Sequence, residues 1–356
     1  MKILLNIFFI SILFIGCSTQ QKIVQPYQQS SFQKENKENK EKKSTTILDV
    51  FKAKKKIIIL YSSNTIGHYA IEATNTSMAD MLQSNIDFEI QTIDIKDYSW
   101  ESLESGFKSA QDMDGENVIA LLTSQSYKDL VDVENLDQFN IYLPLIHKNN
   151  VQKIKKNIIF GGIDYEAQFN KLLLYSNKKD TELYDNSNFG FALHSKLDSM
   201  DQALLYAQTI DNFSADYGDL LIKNKSKLEQ STLFINTPIV KSSIILSQLR
   251  ANDISPNRIL STQLNYTPLI LSLTQAQDRE NLIVASSISD IYDSLSEQVS
   301  ILNSDIKYDW LNYSTLIGVD YFVNETKNTL RPVIENQVQH DIKLYKTLYH
   351  SFEEIK

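Results

Sequence analysis

The chain has 356 residues, with 44 Asp and Glu against 35 Lys and Arg and a formal net charge of −9 at pH 7. That acidic balance, without a basic stripe or interleaved basic and aromatic residues, argues against a nucleic-acid partner. Cys17 is the single cysteine, which excludes an internal disulfide and a thiolate metal cluster.

In chain order, Met1 and Lys2 precede an apolar run from Ile3 to Ile15 that ends at Gly16 and Cys17. A positive start, an apolar core of about a dozen residues and a small residue at the cut predict a signal peptide over residues 1–16; the core falls short of the roughly 20 residues of a spanning helix. Gly16 and Cys17 resemble the end of a bacterial lipoprotein signal, although Phe14 holds the place such signals usually give to Leu and Leu13 sits one step earlier. The resemblance implies lipid on Cys17 and tethering to a membrane. Ser18 stands where Asp would favour inner-membrane retention, so the same resemblance implies an outer-membrane anchor facing the periplasm. Residues 17–53 then run through QQKIVQPYQQ and SSFQKENKENKEKKSTT with almost no apolar periodicity. Such a stretch buries too little surface to offset the entropy of ordering, which predicts a flexible tether.

The rest is long enough for one large domain or two lobes. Lys55 to Ser63 (KKIIILYSS) is a β-branched run of strand length, and Ile66, Tyr69, Ala70, Ala73, Met78, Met81 and Leu82 behind it recur at helix spacing. Asp87 to Ile95 reads as a strand, WESLESGFKSAQDM as a helix and Gly115 to Gln125 as a strand. Asn140 to His147 and Asn157 to Ile163 add two short strands and close a first lobe near Asp164. A second series reads as helix EAQFNKLLLYS, strand Phe189 to Ser195, helix LDSMDQALLYAQTI and strand Ser231 to Pro238. It continues with helix KSSIILSQLRAND, whose face is Ile244, Ile245, Leu246 and Leu249, and strand Asn257 to Gln263. Repeated strand–helix order predicts parallel sheets with helices on both faces, in an α/β protein of two lobes.

These residues resemble type I periplasmic-binding-protein folds, and within them the carboxy-terminal domain of LpoA-like (LppC family) lipoproteins, the activators of penicillin-binding proteins. Ser231 to Ile288 carries most of the likeness, with STLFINTP, a helix ending in Gln-Leu-Arg, and DRENLIVASSI. WLNYSTLIGVDYF, with Gly318, Asp320 and Tyr321, is similar to the family's Gly-Ile-Asp-Ala-Tyr helix, with Val319 and Phe322 differing. The resemblance implies a two-lobed type I periplasmic-binding-protein-like fold, each lobe a mostly parallel sheet flanked by helices. On this reading residues 55–165 and 283–322 form lobe 1, and 166–282 and 323–356 form lobe 2. Enterobacterial members add an amino-terminal helical-repeat domain, in whose place this chain has the polar tether.

No catalytic motif emerges. The histidines His68, His147, His194, His340 and His350 are scattered without metal-ligand spacing and read as surface or turn residues, and neither a Gly-x-Ser-x-Gly elbow nor a phosphate loop is present. No cofactor or metal is expected. Gly161 and Gly162 fit either an amide cradle for an anion or a tight strand end.

In an open α/β sheet ligands bind beyond the carboxyl ends of the strands. That rule singles out Ser62, Ser63 and Asn64 after the first strand, Ser124, Gln125 and Tyr127 after the third, and Thr237, Gln263 and Tyr266 in the second lobe. Such residues also cap the following helices, which is the competing explanation for their presence.

Two functions compete. One is a protein-interaction module in the cell envelope that contacts a peptidoglycan synthase or another envelope machine; the other is a lipid-tethered receptor for an amino acid or other small solute. The first is favoured, because the candidate loops Ser62 to Asn64 and Ser124 to Tyr127 hold no charged pair for an amino acid's ammonium and carboxylate. An enzyme acting on cell-wall fragments lacks any supporting motif.

Overall fold

The computed structural model describes residues 54–200, 204–211, 216–324 and 330–356. The expected signal peptide, Cys17 and the tether lie outside the described residues.

The first lobe begins with β1 (Lys55–Tyr61), α1 (Ser63–Gln83), β2 (Phe88–Asp94), α2 (Trp100–Asp112) and β3 (Asn117–Ala120). A short α3 (Tyr127–Leu130), β4 (Asn140–Leu143) and β5 (Ile158–Phe160) follow. The chain then crosses into α4 (Tyr165–Leu173), β6 (Asp180–Asp185), α5 (Asn188–Met200), β7 (Leu204–Ile210), α6 (Gly218–Lys223) and α7 (Lys225–Leu228). This second lobe continues through β8 (Thr232–Asn236), α8 (Ile239–Ala251), β9 (Arg258–Ser261), α9 (Leu269–Leu273) and β10 (Leu282–Ser286). A return segment carries α10 (Asp293–Ile301), α11 (Trp310–Val323), β11 (Val333–Ile334) and β12 (Gln337–Val338) before β13 (Lys343–Thr347) and β14 (Phe352–Glu354).

The strands form two seven-stranded sheets, ordered β11-β12-β5-β4-β3-β1-β2 and β14-β13-β10-β9-β8-β6-β7. Pairing is parallel from β12 to β2 and from β10 to β7, with antiparallel pairs at β11–β12, β10–β13 and β13–β14. The unbroken apolar run of β1 suits a strand covered on both faces. Ile58 and Leu60 pack with Phe107 of α2, while Ile57 and Ile59 join Tyr142 and Ile317 of α11. Helix starts are fixed by side chains that accept from backbone N–H groups: Ser99 from Ser102, Asp164 from Ala167 and Asp309 from Asn312.

The helix behind β1 forms as expected, but its buried face is more polar than the apolar spacing suggested. Tyr69 and Leu82 are exposed, whereas Thr76, Ser77 and Asp80 are buried. These residues face α11, whose Asp320 is buried as well.

Four expectations are corrected. Phe189 to Ser195 is helical, within α5, because Gly190, Leu193 and Leu197 at spacings of three and four turn inward while Phe189 and Phe191 stay exposed. The expected helix LDSMDQALLYAQTI instead contains strand β7, and the strand it pairs with, β6, has the polar sequence DTELYD and no apolar run to announce it. Finally, Leu282–Ser286 belongs to the second sheet, paired with β9 and β13, so the return to the first lobe follows Ser286 and does not begin at residue 283. Conversely, β11 and β12 extend the first sheet beside β5, although residues 323–356 were all expected in lobe 2.

Candidate functional site

The lobes are joined by three connections: after β5 at Gly161 to Asp164, after β10 at Ser287 to Ile291, and after β12 at Gln339 to Ile342. Each is held by buried side chains. Gln168 of α4 donates from Nε2 to Ser287 Oγ (2.8 Å) and Gln263 Oε1 (3.2 Å), and its Oε1 accepts from the Gln263 backbone N–H (3.0 Å). Gln263 Oε1 also accepts from the Ser287 N–H (2.7 Å), so the network ties the first two connections to one helix.

His340 fastens the third connection to the first. Its Nε2 lies 3.2 Å from the Gly161 carbonyl, which fixes the proton on that nitrogen, and its Nδ1 is buried without a partner among the described residues. Trp310 packs edge-on against the ring at 4.8 Å. Burial pushes the imidazole down to about 3, against the pull of its bond to Gly161. His147, expected at the surface, is also buried and lies 3.7 Å from Asp164 across the first connection. Burial lowers its pKa, and Asp164 opposes that shift.

Gly161 and Gly162 are a tight strand end and not an anion cradle. Their N–H groups donate to Leu143 O (2.9 Å) and Ile146 O (3.0 Å). A Cβ on Gly161 would stand 2.2 Å from Tyr142 Oη, and one on Gly162 2.3 Å from the Ile146 carbonyl carbon, so close approach demands both glycines.

The nine candidate ligand residues do not converge. Ser62 is buried and its hydroxyl donates to Lys96 O; Thr237 is buried and shares a 2.8 Å hydrogen bond with Ser242. Tyr127 packs against Phe160 and donates to Lys153 O at 2.6 Å, beside a cavity of about 370 Å³ that Ser124 also lines. Gln263 belongs to the network above, and Ser63, Asn64, Ser124 and Gln125 are exposed. Of these nine only Tyr266 reaches a cavity of about 830 Å³ at the second connection. The lining there includes Tyr308, Tyr345, Ser289, Lys307 and Arg331, which sequence reasoning missed because they are scattered and follow no strand-end rule. Among the described residues no cluster of three or more His, Cys, Asp or Glu is placed to hold a metal ion.

Solved structures share this architecture at low identity. LivJ, the branched-chain amino acid transporter substrate-binding protein of Streptococcus pneumoniae, in complex with isoleucine, is 12% identical with a TM-score of 0.61, over 84% of this chain and 98% of its own. A branched-chain amino acid ABC transporter protein from Thermus thermophilus with bound valine is 12% identical with a TM-score of 0.64, over 85% and 95%. Haemophilus influenzae LpoA is 11% identical with a TM-score of 0.58, over 87% of this chain and 60% of LpoA. No family model and no curated protein matches the sequence. The chain has the two-lobed type I periplasmic-binding-protein-like fold, two mostly parallel sheets flanked by helices, shared by the amino acid receptors and part of LpoA.

Proposed function

We propose that this chain is an outer-membrane lipoprotein, tethered through Cys17 and facing the periplasm, whose folded part is a protein-interaction module acting on peptidoglycan synthesis. The observation that carries the reading is the state of the strand-end polar groups. Ser62, Tyr127, Thr237 and Gln263 already bond within the fold, so they are spent on structure where a solute receptor needs convergent groups directed at a ligand. The likeness of Ser231 to Ile288 to penicillin-binding-protein activators supports a protein partner, while the fold itself, shared with LpoA and with the amino acid binding proteins, is compatible with either kind of ligand. Phe189 and Phe191, both 44% exposed, are aromatic anchors of the kind that concentrate binding energy at protein interfaces. The anchor and its membrane rest on residues 1–18 alone.

The test is to cross-link cells, purify the full chain and identify what accompanies it, alongside calorimetry of the purified chain with leucine, isoleucine and valine. A peptidoglycan synthase in stoichiometric amount, with no heat beyond dilution from the amino acids, supports the reading. Micromolar amino acid binding that is lost in Ser124→Ala or Gln125→Ala would replace it with the receptor reading, which the valine- and isoleucine-bound structures favour by fold alone.

A further inference from the structure

We propose that the cavity at the second connection binds a neutral saccharide of one or two pyranose rings. Its volume of about 830 Å³ is of the size that holds small molecules. Part of its lining is aromatic. Tyr266 packs against Tyr308 with ring centroids 5.3 Å apart and against Tyr345 at 4.7 Å, which fixes the rings before any ligand arrives. Tyr266 and Tyr345 come from the second lobe and Tyr308 from the return segment, so a ligand here would touch both sides of the connection.

The remaining lining is polar and electrically balanced. Lys307 and Arg331 set two positive charges against the two negative charges of Asp290 and Asp293. Ser289 also lines the cavity, and its hydroxyl is buried without a partner among the described residues. A buried hydroxyl left this way is costly to the fold and is satisfied by any ligand group that reaches it.

Three ligand classes can be weighed against these features. A flat aromatic acid matches the tyrosines but strips water from the charged groups without replacing its hydrogen bonds. A strongly charged ligand meets as much repulsion as attraction. A pyranose ring has an apolar C–H face for the tyrosines and, around its edge, hydroxyls that both donate and accept, so it satisfies both parts of the lining at once. The inference does not depend on the protein-partner reading, since a chain that binds a synthase and one that does not could equally hold a sugar here.

Calorimetry of the full chain in a sugar-free detergent, with N,N′-diacetylchitobiose and maltose as neutral probes and benzoate as the aromatic acid, tests the proposal. At least one disaccharide should bind saturably with a Kd at or below about 1 mM. Tyr308→Ala should weaken that binding about tenfold or more. Tyr292→Ala, at a lining position 70% exposed and therefore tolerant of substitution, should weaken it at least about threefold and keeps the test valid if Tyr308→Ala fails to fold. No saturable heat from either disaccharide up to about 10 mM, saturable binding of benzoate alone, or disaccharide binding untouched by Tyr292→Ala would overturn the proposal.

Discussion

Replacing Asp80 by Asn should make the fold more stable at alkaline pH and leave it nearly unchanged in acid. Asp80 lies on the face of α1 that packs against α11 and is 8% exposed. Burial, reinforced by the charge of Asp320, raises its pKa from 3.8 to about 7. Burial raises the pKa of Asp320 as well, but the Leu330 N–H and the Asn324 amide donate to its carboxylate and oppose that shift, so Asp80, without such donors among the described residues, is the first of the pair to take up a proton. A raised folded-state pKa means that the stabilisation linked to the bound proton is present in full below about 3.8 and lost as pH rises through about 7. A shift of about 3 units at 1.36 kcal/mol each gives roughly 4 kcal/mol as an upper bound, and relaxation around the site brings the expectation to roughly 2–4 kcal/mol.

For a protein of this size that is a melting-temperature gain of about 3–7 °C for Asp80→Asn at pH 8, shrinking toward zero near pH 4. The wild-type profile alone does not isolate the effect. His340, depressed to about 3, contributes stability that is present above the ordinary imidazole value of 6.5 and lost as pH falls toward 3, so it runs in the opposite sense. Circular-dichroism melts of both proteins from about pH 4 to 8.5, read as a difference, cancel the His340 contribution. A difference that does not change with pH, or a variant less stable than the parent at pH 8, would refute the reasoning.

Gly162→Ala should lower stability by about 1–3 kcal/mol, seen as a lower midpoint in urea, because its Cβ meets the Ile146 backbone at 2.3 Å and backbone yields less readily than a side chain. Cys17→Ser should leave an uncleaved or soluble periplasmic form, and fractionation with the outer membrane like the parent would show that lipid on Cys17 is not the tether. Deleting residues 30–45 should leave the melting temperature within about 1 °C, since their composition offers almost no apolar surface to bury; a large drop would make that segment part of the fold. Glu182→Gln should destabilise by about 1–3 kcal/mol in chemical denaturation, because the buried carboxylate accepts from Asn236 Nδ2 (2.7 Å) and pairs with His194 Nδ1 (2.6 Å), and a neutral amide weakens the second contact.

The alternation of strands and helices was readable wherever apolar periodicity is strong. The Ile57 to Leu60 run and the stripes of α2 and α8 predicted their elements, and the Thr-Pro turn with its Gln-Leu-Arg helix pointed to the right fold. The misreading around α5 has one cause. In β6, Asp180, Thr181, Glu182 and Asp185 are all buried; Asp180 accepts from nearby Ser176, but the other three have side-chain partners far enough along the chain that no local window reveals them: Glu182 with His194 and Asn236, Thr181 with Ser231, and Asp185 with Lys241. Buried polar groups are tolerable only when paired, and pairing is a property of the tertiary fold, so the strand looked like a loop until its neighbours were in place.

The same argument explains why the candidate ligand residues were only half legible. Hydroxyls and amides at strand ends mark either a site or a cap, and sequence position alone gives both the same signature. What separates them is where each group's hydrogen bond goes. Ser62 ties the end of β1 to the loop after β2 through Lys96 O, Thr237 closes a local turn with Ser242, and Gln263 clamps two lobe connections through Gln168 and Ser287. Tyr266 differs, since its place is set by Tyr308 and Tyr345 from elements 42 and 79 residues further along, whose convergence no strand-end rule anticipates. Tightly clamped connections also bear on function. A receptor that closes on its solute needs connections able to change backbone angles, whereas a partner-binding module is served by lobes held in one arrangement. The Gln168 network and the His340 bond to Gly161 place this chain's buried polar groups where they resist such motion, which is the physical reason that the proposed partner-binding reading points to a fixed surface.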